Sequence, residues 1–220
     1  MNVLVQEYKT LHGRGEDEIE IEKSVFIGYS APVSSEDEAA IFVDSIRQRH
    51  KEATHNVWAY IIGMNMEIQR YSDDGEPKGT AGIPVLEVMK KEELRNIAVV
   101  VTRYYGGTKL GAGGLVRAYT KGAKIALDSG RIVTKRLYRK LFIGLDYHML
   151  GKLQNEFSNR GYIIKDIEYA ENVRLTVYAP DEQLESIKKL AIDITSAAAQ
   201  LEEGEQFYIS HDESGAVILD

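Results

Sequence analysis

The chain has 220 residues, 44% hydrophobic and 28% charged, with a formal net charge of −7 and no cysteine. Such a length buries one large core or two small ones, and the missing thiols exclude disulfides, thiolate metal ligation and cysteine nucleophiles. No run approaches the roughly 18 apolar residues a membrane-spanning helix needs.

In chain order, MNVLVQEYKTLHGRG offers neither the basic nor the apolar region of a signal peptide, so a cytoplasmic protein with no membrane partner is expected. IEIEKSVFIGYSAPV alternates as a strand pair. Ser35 followed by Glu38 makes a capping box, and Phe42, Val43, Ile46 and His50 at helical spacing predict a helix over 35–51. NVWAYIIGM reads as a strand. RYSDDGEPKGTAGIP is dense in turn formers and reads as a loop entering a short helix near Thr80, with Pro84 tolerated in the first turn. IAVVVT, 97–102, is a β-branched run expected of a strand covered on both faces. Residues 111–129 form a second long helix with Gly130 as its C-cap.

From residue 138 the pattern resets, and a domain boundary is expected there, giving domains 1–137 and 138–220. LYRKLFIGLDY turns Leu141, Ile143 and Leu145 inward, and Met149, Leu150, Leu153 and Phe157 share one helical face. YIIKDIEYA and VRLTVYA flank Glu171-Asn172 as a hairpin. Pro180-Asp181 opens a helix with Leu184, Ile187, Leu190 and Ile194 at core spacing, and QFYIS closes with a strand. The order β-α-β-β-α-β is that of a ferredoxin-like domain.

Charge divides along the same line. Residues 1–137 hold 19 Lys and Arg against 19 Asp and Glu, whereas 138–220 hold 8 against 15. Residues 103–136 carry eight cations against the single acid Asp128. A local field of that sign is what a polyanion meets. On the helix, Leu115, Tyr119, Ala123 and Ala126 line one face and Arg117, Lys121 and Lys124 another. That second face reads either as a basic binding stripe or as an ordinary solvated surface.

Strand, Gly-rich turn and helix start together form the arrangement that offers free N–H groups to an anion. Phosphate fingerprints fail in detail, however. Ala112 and Gly113 stand where a P-loop has Lys and Ser/Thr, and Val116 occupies the last glycine of GxGxxG. The glycines serve equally well to allow positive φ and close packing. The residues nominated for nucleic-acid or anion binding are Arg103, Tyr104, Gly106, Gly107, Lys109, Gly113, Gly114, Arg117, Lys121 and Lys124. The pair Tyr104-Tyr105 has two readings as well: aromatics beside a β-branched strand are ordinarily core, yet one ring of an adjacent pair must point the other way, where a stacking platform is the alternative. Asp73, Asp74 and Glu76 have three readings: Mg²⁺ ligation or acid-base work, turn chemistry, or pairing with Arg103 or Lys109 that pins two loops together. With no His or Cys nearby in sequence and no ligand spacing among the five histidines, neither metal nor cofactor is expected.

YSDDGEPKGTAGIP (71–84) and VVVTRYYGGTKLGAGGLVRAY (99–119) resemble the two signature blocks of the IMPACT family, including its bacterial YigZ/YvyE-like members. The resemblance marks Asp73, Asp74, Gly75, Glu76, Pro77 and Thr80 as a signature loop. It implies an α+β protein, with a ribosomal protein S5 domain 2-like two-layer α/β domain followed by a ferredoxin-like domain resembling a C-terminal domain of elongation factor G. Eukaryotic members are linked to translational control through an additional N-terminal domain. That role is not carried over to this chain, which reads as starting at the S5-like part. The expectation is a non-catalytic binding protein whose partner is RNA or the ribosome and translation machinery, with a protein partner through the acidic C-terminal domain. The alternatives are an enzyme or sensor for a phosphorylated small molecule and a protein-protein adaptor.

Overall fold

The computed structural model describes residues 4–218. Residues 1–3, at the head of the stretch read for a signal peptide, and 219–220, at the end of the second domain, lie outside the described part. The described chain divides into two compact units: Tyr8–Lys135 with Ser210–Ile218, and Leu4–Glu7 with Arg136–Ile209. A short strand, β1 (Glu7–Leu11), opens it and buries Leu11.

The first unit is built on a five-stranded antiparallel sheet. The hairpin β2 (Gly15–Ile21) and β3 (Ser24–Pro32) turns on Glu22 and Lys23, both at positive φ (49° and 66°), as a two-residue turn matched to strand twist requires. Helix α1 (Glu36–Arg49) is capped by Ser35, whose hydroxyl accepts from the Glu38 N–H at 3.2 Å. The Glu38 carboxylate turns back to Ser34, one residue earlier than a strict capping box places it.

Strand β4 (His55–Ile62) then pairs with β5 (Ile68–Ser72). Residues 70–72, expected in a loop, instead complete this edge strand. They lack an apolar alternation because they lie at the sheet margin, where the β4 ladder supplies the pairing. Helix α2 (Gly82–Lys91), strand β6 (Ile97–Tyr104) and helix α3 (Gly111–Gly130) finish the unit. Sheet order is β2-β3-β6-β4-β5. On one face Phe26, Val57, Ile61, Val99 and Val101 pack under α2 and α3; on the other Tyr29, Ala98 and Val100 pack under α1. The β-branched run of β6 is thus covered on both sides.

Close approach of α3 to the sheet depends on glycine. A Cβ at Gly28 would stand 2.2 Å from the Gly122 carbonyl oxygen. Gly130 is the last helical residue and not the C-cap expected of it: the left-handed residue is Arg131, at φ 59°. A Cβ at Gly130 would meet Ser30 Oγ at 2.8 Å, so the glycine there answers to space.

The second unit holds β7 (Ile132–Leu145) from Arg136 on, α4 (Tyr147–Asn159), the hairpin β8 (Ile163–Tyr169) and β9 (Val173–Pro180), α5 (Leu184–Ile194) and β10 (Gln200–His211) up to Ile209. A 3₁₀ turn at Asp181–Gln183 precedes α5. Sheet order β10-β7-β9-β8 is the ferredoxin-like arrangement. Leu141, Ile143, Leu153, Phe157 and Ile187 are fully buried, as their spacing predicts. A two-residue strand, β11 (Val217–Ile218), pairs with Ser210 and His211 at the end of β10, within the first unit, and had no signal in the sequence. No described helix is long and apolar enough to cross a membrane.

Candidate functional site

The ladder of the first sheet sets Arg103 of β6 in register with Phe26 of β3 and His55 of β4. Strand alternation turns all three toward the α3 side. Arg103 is only 5% exposed. Its Nη1 donates to Glu76 Oε1 at 2.6 Å, and the Tyr119 hydroxyl of α3 donates to the same oxygen at 2.8 Å. His55 Nε2 stands 3.8 Å from that oxygen. A buried carboxylate needs such partners. Burial, with Glu76 beside it, pushes the Tyr119 hydroxyl up and keeps it a donor. Arg103 Nη2 reaches Ser24 Oγ, the guanidinium lies over the rings of Phe26 and Tyr105, and its buried Nε has no hydrogen-bond partner among the described residues.

The loop acids therefore do different things from one another. Asp73 accepts the N–H groups of Gly79, Ala81 and Gly82 at 2.8, 3.2 and 2.8 Å and so closes the loop onto the start of α2. Asp74 accepts from the Asn56 N–H at 2.6 Å and from Arg47, tying the loop to β4 and α1. Glu76 reaches across to the second block, the pairing with Arg103 that the sequence left open beside two other readings. Gly75 takes φ 89°, and the Thr80 hydroxyl donates to the Pro77 carbonyl at 2.7 Å. No three His, Asp or Glu among the described residues gather as a metal would need.

The nominated residues do not all meet on one surface. Arg103 is internal, so it is no surface cation. Lys124 is exposed but paired with Asp128 (3.0 Å) and Glu92 (3.3 Å), which hold its ammonium above its usual range. Lys109, Arg117 and Lys121 are exposed with no carboxylate partner among the described residues. Tyr104 is half-buried on the α1 side, its hydroxyl 2.9 Å from His50 Nδ1. Tyr105 is the outward ring of the pair, 45% exposed.

In the turn, Gly107 (φ 86°) and Gly111 (φ 69°) take conformations closed to most side chains. A Cβ on Gly106 would lie 1.8 Å from the Lys23 carbonyl oxygen. Gly113 and Gly114 belong to the first turn of α3, which has no side-chain cap and no acid. A helix start leaves its N–H groups without internal partners, and Gly111 and Ala112 of this one border a cavity of about 380 Å³. Glu76 and Pro77 of one block and Arg103, Tyr105, Lys109 and Gly111 of the other line it.

Two partners of this site escaped the sequence. His55 lies far from the loop in number, yet its Nδ1 donates to the Asp74 carbonyl at 2.7 Å. Tyr119 reads as an ordinary member of an apolar stripe; a phenol on a helix face otherwise made of Leu and Ala is the one signal that could have found it.

The comparisons bear on the whole chain. The family model described as the Impact N-terminal domain matches residues 22–127, and a domain of unknown function, DUF1949, matches 143–198. The chain is 43% identical over 206 residues to IMPACT family member YvyE of Bacillus subtilis, covering 94% of this chain and 95% of that one. To IMPACT family member YigZ of Escherichia coli it is 34% identical, covering 83% and 90%. A crystal structure described only as that of a hypothetical protein aligns with TM-score 0.58 at 30% identity, covering 92% of this chain and 99% of that one. With both domain models and near full-length relatives matching, the chain belongs to the IMPACT family, among its bacterial YvyE- and YigZ-like members.

Proposed function

We propose that the protein is a non-catalytic RNA-binding protein acting with the translation machinery. The observation that carries this reading is the set Lys109, Arg117 and Lys121: three exposed cations without carboxylate partners among the described residues, at and after an uncapped, acid-free helix start. Arg117 and Lys121, four residues apart, share one side of α3. Phosphates supply the matching charge, and helix N-termini are a regular phosphate contact. The non-catalytic part is supported by the structural employment of Asp73, Asp74 and Glu76. The translational context rests on the family likeness. In a direct binding assay the full chain binds RNA, and the Arg117→Glu, Lys121→Glu double variant does not, while both unfold at the same urea concentration. Equal affinity in the two proteins ends the proposal.

A second reading, a sensor or enzyme for a phosphorylated small molecule, is favoured by the cavity where both signature blocks meet. Its volume lies within the roughly 300–1,000 Å³ of small-molecule sites. A thermal-shift screen of nucleotides and sugar phosphates tests it, since a ligand at 100 times its Kd stabilises by about 2.7 kcal/mol; a flat screen removes it.

A further inference from the structure

Tyr105 is an aromatic side chain left half in solvent, beside a buried cation. Its backbone N–H donates to Thr54 Oγ1 at 3.0 Å, and beneath its ring the Arg103 guanidinium lies 5.3 Å from the centroid. That guanidinium is in turn 5.4 Å from the Phe26 ring. Arg103 thus lies against both rings, and Tyr105, the exposed one, borders the cavity. The remaining walls divide by chemistry. Pro77, Leu110 and Leu115 are apolar. Glu76 adds an acceptor: Oε1 takes both Arg103 and Tyr119, whereas Oε2 accepts no hydrogen bond among the described residues. Lys109 and the uncapped start of α3 stand at the same cavity.

A flat apolar face, a carboxylate oxygen awaiting a donor and a cationic margin match the three parts of a nucleotide unit: its base, its amino edge and its phosphate. We infer that the cavity receives one unstacked base of a single-stranded RNA. The base lies on Tyr105, its amino group donates to Glu76 Oε2, and the adjoining phosphate meets Lys109 and the first turn of α3. Bases within a duplex are held in the stack and cannot enter. This inference rests on the RNA reading above and narrows it to single strands.

The test is fluorescence anisotropy with the full chain and labelled RNA of about 12 nucleotides, within the ~4–16 that such sites cover. The same RNA annealed as duplex, and free nucleoside monophosphates as competitors, complete the set. The single strand is expected to bind more tightly than the duplex. Tyr105→Leu is expected to lose about 5- to 150-fold in affinity, the loss of one stacked base, with no change in salt dependence; Tyr105→Trp retains binding. Because Tyr105 is half exposed, the unfolding midpoints of these variants report whether folding is intact. Unchanged affinity in Tyr105→Leu overturns the base site while leaving the α3 face standing if the Arg117→Glu, Lys121→Glu variant still fails to bind. Equal affinity for duplex and single strand overturns it too, as does competition by a free monophosphate at the concentration of the RNA's own bases. No binding of any RNA overturns this inference together with the reading beneath it.

Discussion

Arg103 and Glu76 show how far one residue's role depends on where it is buried. Both side chains are at most 6% exposed, so the ion pair lies out of reach of the solvent that weakens surface pairs. Removing one partner strands the other. Arg103→Met or Glu76→Gln is expected to cost about 3–5 kcal/mol in urea unfolding, and the double variant less than the sum of the singles; strict additivity would show that the pair is not coupled. A second residue-scale prediction concerns His50. Its Nε2 lies 2.6 Å from the Tyr29 hydroxyl and its Nδ1 2.9 Å from that of Tyr104. Burial holds its imidazole below the usual range, Arg49 pushing the same way and Glu16 against it. The unfolded chain therefore takes the proton first. Stability is fully present above about pH 6.5 and is lost as pH falls through the lowered value of the fold. Between pH 7 and 5 the unfolding midpoint of the native chain is expected to drop further than that of His50→Gln; parallel drops would refute it.

Among the elements, α3 is the one on which the site depends. Its buried face is small where it crosses the sheet, and Gly122 against Gly28 brings helix and strand backbones together. The phenol of Tyr119 thereby comes within reach of Glu76. Gly28→Ala places a methyl 2.2 Å from a carbonyl oxygen, and overpacking of this kind costs about 1–3 kcal/mol or more. A drop in thermal midpoint with retained circular dichroism is the expected result; an unchanged midpoint would mean that the sheet yields freely. Legibility followed periodicity here. Helices α1 and α3 and strand β6 were readable because their apolar spacing repeats over many residues. Edge strand β5 and the two-residue β11 were not, since their partners, and not their own side chains, define them. Gly130 misled because glycine serves both left-handed turns and close packing, and sequence does not distinguish the two.

For the whole molecule, the net charge of −7 conceals an even balance in residues 1–137, and burial reduces the cationic surface further. With Arg103 internal and Lys124 paired, three free cations remain on the α3 side instead of five. Affinity for single-stranded RNA is accordingly expected to fall with salt at a log-log slope of about −2 for three phosphate contacts. A slope near zero would mean that these cations do not touch phosphate; a much steeper one would place further contacts elsewhere.

The sequence by itself determined the mixed α+β order, the two domains' worth of core positions and the family, because periodic burial and long signature blocks are properties of neighbouring residues. Tertiary structure alone decided which charges are available. Whether an arginine meets solvent or a carboxylate depends on Glu76, 27 positions from Arg103 and 43 from Tyr119, being carried with both to the same few ångströms, and the spacing of residues along a chain holds no record of such a meeting.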